Sequence, residues 1–276
     1  MAAERGSAGV RIALLQAEAA PLDPEANLRT LRDAAGTARD AGAALLLTPE
    51  LFLTGYAPAQ LRSWMAPELV DGLPARVATL ARECGVAIVT SFPVARVDGS
   101  FGIAASLTDA SGAELLRYEK VHLWGDDERA AFSASTAPPT VIEWNGRRVA
   151  LQICYDIEFP EPVRLIAERG ADLVLVPTAI DGFSAYVPEV LVRARAAENA
   201  LVVAYADYPR TQGFVGAART DFAGLSVVAG REGVVLAEAG ADAEILIADV
   251  PGPEERSPHA ADYLRDRRPD RYADWR

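Results

Sequence analysis

The 276-residue sequence predicts an α/β fold in which helices cover mixed β-sheets. Three observations carry this. Short apolar β runs alternate with amphipathic helical patterns through much of the chain. Two hairpin signals interrupt that alternation, which calls for antiparallel pairs beside parallel ones. No shift in composition marks a second domain, so residues 1–276 read as one domain with 251–276 as a C-terminal arm.

Residues 1–9 read as a loose leader and 10–16 as a first strand. Residues 24–41 carry helical spacing in Leu28, Leu31, Ala34, Ala35 and Ala38, with Asp23 as N-cap and Gly42 as a stop. The apolar run 43–47 is a second strand, and Glu50 stands just past its end. Residues 68–84 read as a helix closed by Gly85, and 86–95 as a strand. Residues 102–109 and 113–118 form a hairpin, with Lys120 almost directly behind it. The stretch 121–139 lacks a strong period and reads as mainly loop. Residues 140–144 and 147–153 form a second hairpin about Asn145-Gly146, a strong turn signal. That strand ends at Cys154, and Pro160 opens a helix over 160–169. Strand 172–177, helix 186–199, strand 201–205 and three closing β patterns at 225–229, 234–237 and 243–250 complete the chain. Asp207, Arg210 and Asp221 are placed on a variable loop.

Composition excludes several classes. A net charge of −12 argues against a nucleic-acid partner. No stretch of about 18 apolar residues suggests a membrane span, and no apolar segment near the start suggests secretion. A cytoplasmic protein with reduced Cys84 and Cys154 is therefore expected. His122 and His259 share no metal-ligand spacing with the cysteines, and no glycine-rich phosphate loop follows a strand. Neither metal nor cofactor is expected.

Glu50, Lys120 and Cys154 each follow an apolar β pattern, which places them at a sheet rim. Such a set has definite chemistry. A cysteine attacks a carbonyl-type carbon and holds it covalently. A carboxylate takes the thiol proton, passes it to the leaving amine and then activates water. An ammonium and the backbone N–H after the cysteine stabilise the oxyanion. Cys84, at the end of an amphipathic helix, reads as a small buried hydrophobe. His122 reads as a structural hydrogen-bonder. Tyr56, Trp124 and Tyr186 divide evenly between pocket wall and core. Asp156 and Glu158 read as turn-stabilising carboxylates, with contact to a substrate ammonium as the alternative.

The pieces Pro49-Glu50-Leu51, Tyr118-Glu119-Lys120-Val121-His122-Leu123 and Ile153-Cys154-Tyr155-Asp156-Ile157-Glu158-Phe159-Pro160-Glu161 together resemble the nitrilase superfamily of carbon–nitrogen hydrolases. The likeness covers roughly residues 10–250. It implies a four-layer α-β-β-α sandwich, a homodimer or larger homo-oligomer, and a small-molecule substrate. It assigns Glu50 as general base, Lys120 as oxyanion stabiliser, Cys154 as nucleophile and Glu128 as a positioning glutamate, with the Tyr155 N–H in the oxyanion hole. The segment after Cys154 and the runs Val176-Pro177-Thr178-Ala179 and Arg193-Ala194-Arg195 look most like bacterial aliphatic amidases of the 5-aminopentanamidase type. The resemblance thus implies hydrolysis of a small aliphatic amide, including ω-amino amides, through a cysteine thioester. Tyr56, Trp124, Tyr155, Glu158, Thr178, Ala179 and Tyr186 are the expected substrate contacts. A nitrilase or N-carbamoyl amidohydrolase with the same triad is the alternative, followed by a catalytically silent scaffold.

Overall fold

The computed structural model describes residues 9–210, 214–215, 218–219, 221–253 and 261–275. The first half runs β1 (Val10–Gln16), α1 (Pro24–Asp40), β2 (Leu45–Leu47), α2 (Pro58–Trp64), α3 (Pro67–Val70), α4 (Leu73–Cys84), β3 (Ala87–Ala95), β4 (Phe101–Thr108), β5 (Glu114–Glu119) and α5 (Gly125–Ala131). The second half runs β6 (Ile142–Trp144), β7 (Arg147–Leu151), α6 (Pro160–Glu168), β8 (Leu173–Pro177), α7 (Val192–Asn199) and β9 (Val202–Ala206). It closes with the short pair β10 (Phe214–Val215) and β11 (Ala218–Arg219), then β12 (Val227–Ala229), β13 (Val235–Glu238), β14 (Glu244–Val250), α8 (Tyr263–Asp266) and α9 (Pro269–Tyr272).

Two six-stranded mixed sheets form, in the orders β14-β1-β2-β3-β4-β5 and β13-β12-β9-β8-β7-β6. β1, β2 and β3 pair in parallel, as do β7, β8 and β9, while the flanking strands pair antiparallel. The sheets stack face to face and helices cover both outer faces, which is the expected four-layer α-β-β-α sandwich. The period of two along a strand explains the layering. Ile12 and Leu14 of β1 join the cluster that holds Leu175 and Val203 of the opposite sheet. Their neighbours Ala13 and Leu15 meet Leu28 and Leu31 of α1 and Val77 and Leu80 of α4. On the far side, Val163 and Ile166 of α6 and Val192 and Ala196 of α7 are buried. Each fully buried leucine or isoleucine contributes about 1.5–3 kcal/mol.

Several local signals act as the sequence suggests. The Asp23 side chain accepts the Ala26 N–H at the start of α1. Gly85 ends α4 in the left-handed conformation at φ +68°. Asn145 and Gly146 take φ of +49° and +72°, the primed turn that matches strand twist. Three expectations need correction. The stretch 121–139 is not mainly loop, because α5 lies within it. Its only buried residue is Glu128, so no apolar period announces it; three acids in its first turn favour it through the helix dipole instead. The helix over 68–84 is two helices. The Pro74 ring would clash with the carbonyl four residues back in a continuous helix, and α3 ends at that residue, Val70. The helix over 186–199 begins as a wide π turn over Val187–Leu191 before α7. The leader expected over residues 1–8, most of 211–220 and residues 254–260 of the arm lie outside the described residues.

The topology fixes the site. β2, β7, β8 and β9 are the central parallel strands, and β5 points the same way as β3 through two antiparallel steps. The segments leaving their C-terminal ends therefore gather on one side of the sandwich, where α/β sheets place ligands.

Candidate active site

Glu50 leaves β2 through Thr48-Pro49. Its N–H donates to the Thr178 carbonyl at 3.0 Å, and its own carbonyl accepts the Tyr208 hydroxyl at 2.7 Å. Both ends of the residue are thus tied to loops of the opposite sheet. Lys120 directly follows β5; its N–H donates to the Ile103 carbonyl at 2.8 Å. Cys154 opens a 3₁₀ turn, Cys154–Glu158, with φ +45°. A non-glycine residue held there carries strain of about 1–3 kcal/mol and persists only when its surroundings over-determine it. They do. The buried Asp156 carboxylate accepts the Tyr118 hydroxyl, the His122 N–H and the His122 ring nitrogen, each at 2.8 Å. From α7, Arg195 donates to the Ile157 carbonyl at 3.1 Å and the Glu158 carbonyl at 2.7 Å. Asp156 and His122 therefore hold the turn, and the His122 ring stacks on Phe159 at 4.0 Å between centroids.

Three buried charges meet behind the thiol. Lys120 Nζ lies 2.7 Å from Glu50 Oε1 and 2.8 and 2.9 Å from the two oxygens of Glu128. Glu128 also accepts the Tyr56 hydroxyl at 2.7 Å and the Trp124 N–H at 2.8 Å. Among the described residues, the buried Glu50 Oε2 has no hydrogen-bond partner. Burial pushes the Glu50 carboxyl up to about 8; Lys120 opposes this and Glu128 adds to it. Burial disfavours a charged Lys120, yet Glu50 and Glu128 outweigh it and hold the ammonium charged. Burial, then the Glu50 charge, pushes the Cys154 thiol well up against the pull of Lys120. These directions favour the neutral thiol at Cys154. It donates weakly to the Ala179 carbonyl at 3.8 Å.

Cys154 and Glu128 open on a cavity of about 480 Å³. Tyr56, Trp124, Glu158 and Ala179 line it as expected. Glu50 and Lys120 are fully buried behind it, joined to the wall through the Lys120 contact with Glu128. Three expected contacts are absent from the wall. The Tyr155 ring packs edge-on against Phe159, and only its N–H, which has no acceptor among the described residues, remains for a ligand. The buried Thr178 hydroxyl bonds that of Tyr205 at 2.8 Å. The Tyr186 ring is half exposed on the helical segment outside. Sequence reasoning missed Pro58, Ile180, Asp181, Phe183 and Phe222 on the wall, and Asp221, which it placed on a variable loop, also lines the cavity. Asp207 lies on a loop past β9 as expected, yet its side chain is fully buried and accepts the Ile180 N–H at 3.1 Å. Burial pushes its carboxyl well up. Asp207 and Tyr208 directly follow an apolar strand, the same signal that marks Glu50 and Cys154.

Comparison with known proteins agrees with this geometry. The amidase from Nesterenkonia sp. superposes with a TM-score of 0.88 at 43% identity, covering 98% of this chain and 97% of that one. A cysteine-to-alanine mutant of the Nesterenkonia sp. AN1 amidase in complex with butyramide gives 0.89 at 43% identity, with 98% of each chain covered. A glutamate-to-leucine mutant of that enzyme shows covalent addition of the acetamide moiety of fluoroacetamide at the active-site cysteine. The hydrolase in the pqqF 5′ region of Pseudomonas protegens is 39% identical over 96% of this chain and 91% of its own length. The (R)-stereoselective amidase of Pseudomonas sp. is 33% identical over 94% and 92%. The carbon-nitrogen hydrolase family model matches residues 11–257. Fold, buried charge cluster and sequence agree, and the chain belongs to the carbon-nitrogen hydrolase family of the nitrilase superfamily.

Proposed function

We propose that the chain is an amidase that hydrolyses small aliphatic amides to carboxylate and ammonia through a thioester at Cys154. One observation carries the mechanism: Lys120 Nζ sits within 2.9 Å of two carboxylates in the same buried cluster as a cavity-wall thiol. Glu50 takes the thiol proton, and the sulfur attacks the amide carbon. The oxyanion is stabilised by Lys120 and the Tyr155 N–H. The two contacts from Lys120 to Glu128 can share one proton, which leaves a third N–H for the substrate oxygen. Collapse expels ammonia with the proton returned by Glu50, and the acyl group remains on sulfur. Glu50 then takes a proton from water, which attacks the thioester and regenerates the thiol. Glu128, fixed by Tyr56 and Trp124, positions Lys120.

Butyramide in the Nesterenkonia sp. AN1 complex supports an amide as the substrate here. Ammonia release from a short amide, the matching nitrile and an N-carbamoyl amine, measured side by side, tests this. Turnover of the amide supports the reading, and turnover of only the nitrile or the carbamoyl compound rejects it. We also propose self-association, at least to a dimer. Exposed Tyr186 and Val190, with Tyr263, Tyr272 and Trp275 on the arm, offer apolar surface for it. Sedimentation as a monomer at micromolar concentration would contradict that assembly.

A further inference from the structure

We propose that Tyr208 is a positioning residue for the general base: its hydroxyl pins the peptide that joins Glu50 to Leu51, and the cavity-wall ring of Phe222 holds Tyr208 in place to do so. The inference rests on the amidase reading, in which Glu50 moves the protons, and adds a residue to it.

Leu51, directly after Glu50, is fully buried with φ +51°. A non-glycine residue in the left-handed region is strained and stays there only where its neighbours over-determine it. That angle sets the tilt of the peptide between Glu50 and Leu51. The carbonyl of this peptide accepts the Tyr208 hydroxyl at 2.7 Å, while the Glu50 N–H donates to the Thr178 carbonyl at 3.0 Å. Without the hydroxyl, a buried carbonyl loses that partner and the peptide is free to turn toward an ordinary φ. The Glu50 side chain turns with it. Its Oε1 lies 2.7 Å from Lys120 Nζ, so a small rotation of the backbone spoils that contact.

Tyr208 is itself anchored on several sides. Its carbonyl accepts the Gly224 N–H at 3.0 Å. Just before it, the Asp207 N–H donates to the Ser226 hydroxyl at 2.9 Å, and that hydroxyl donates to Gln16 Oε1 at 2.7 Å. The Tyr208 ring stacks on Phe222 with centroids 4.6 Å apart and planes at 25°, and more loosely on Phe52 at 6.4 Å. Phe222 lines the cavity and meets the Tyr56 ring edge-on at 6.1 Å. Tyr56 in turn donates to Glu128. One wall ring therefore lies against both tyrosines whose hydroxyls fix the two glutamates on Lys120. Burial, then the Glu50 charge, pushes the Tyr208 hydroxyl well up, so it keeps the proton that it donates.

Tyr208→Phe keeps the ring and removes only the hydroxyl. Per folded protein, kcat for butyramide should fall about tenfold or more while KM changes less than about twofold, the pattern of a group that serves the chemical step. The acid limb of kcat/KM should move as well. Among the described residues, the titratable groups against Glu50 are Lys120, Glu128, Cys154, Tyr56, Asp207 and Tyr208. Lys120 is the cation in that set and pulls the Glu50 carboxyl down against burial. A loosened Lys120 contact raises the carboxyl further, so the limb should shift to higher pH by about 0.5 pH unit or more. Phe222→Leu keeps the hydroxyl and removes the stack, and should move kcat and the limb the same way by less. Unchanged kcat in Tyr208→Phe, a loss carried by KM, or a fall in kcat with an unmoved limb overturns the role of Tyr208 and leaves the amidase reading standing. Should Tyr208→Phe fail to fold, an unmoved limb in Phe222→Leu overturns it equally. If the unaltered protein releases no ammonia from butyramide or shorter amides, the amidase reading falls and this inference with it.

Discussion

Glu50 and Cys154 are both buried and compete for one proton. Burial lifts both groups, and each disfavours the other's charge; Lys120 offsets this for both. The consequence appears in the pH profile. Glu50 must be ionised to accept the thiol proton, and its affinity for protons is pushed up to about 8. As pH falls below that value Glu50 becomes protonated, so kcat/KM should decline about tenfold per pH unit. A plateau that persists unchanged down to about pH 5 would show an ordinary, unshifted carboxylate instead. At this scale the sequence was most informative where a polar residue ends an apolar strand. Glu50, Lys120 and Cys154 all show that signature. Glu128 does not, since only the folded α5 separates it from its neighbours Asp126 and Asp127. Asp207 shows the signature as well and lies on a loop as expected, but nothing in the sequence reveals that its side chain is fully buried.

The turn that Cys154 opens depends on elements far away in sequence. Its left-handed residue is kept in place by Tyr118 and His122 through Asp156, and by Arg195 of α7 through two carbonyls. Replacing Arg195 by Ala removes two charge-assisted hydrogen bonds and leaves those acceptors buried. The expected loss of stability is about 2–4 kcal/mol, read from denaturant unfolding, with a fall in kcat as Cys154 loses its placement. Arg195→Lys should recover only part of both, because an ammonium does not span two carbonyls as the planar fork does. Full stability and activity in Arg195→Ala would contradict this dependence. Helices with an apolar stripe, such as α1 and α4, were legible with their caps. The stripeless α5 was not, nor was the division of 68–84 into α3 and α4 at Pro74.

Across the whole molecule, the buried cluster around Cys154 is assembled by the stacking of two sheets. β2 and β5 bring Glu50 and Lys120 from one sheet, and β7 brings Cys154 from the other. Leu47, fully buried at the end of β2, packs between the sheets three residues before Glu50. Leu47→Ala should cost about 2–5 kcal/mol with an unchanged denaturant slope. A loss below about 1 kcal/mol would mean that the sheets are not closely packed there. Strand order was not legible in the sequence. Local patterning names the strands, while pairing across more than two hundred residues, as between β1 and β14, is a property of the folded whole.

The claim that governs all of this is that the substrate's acyl group rests on Cys154 between the two halves of the reaction. Acid-quenching the protein during butyramide turnover and sequencing its peptides by mass spectrometry tests it directly. A butyryl group should sit on Cys154, and ammonia release should fall by about 10³-fold or more in a Cys154→Ala protein that still folds. An acyl group on another residue, or undiminished ammonia release from Cys154→Ala, would contradict the account.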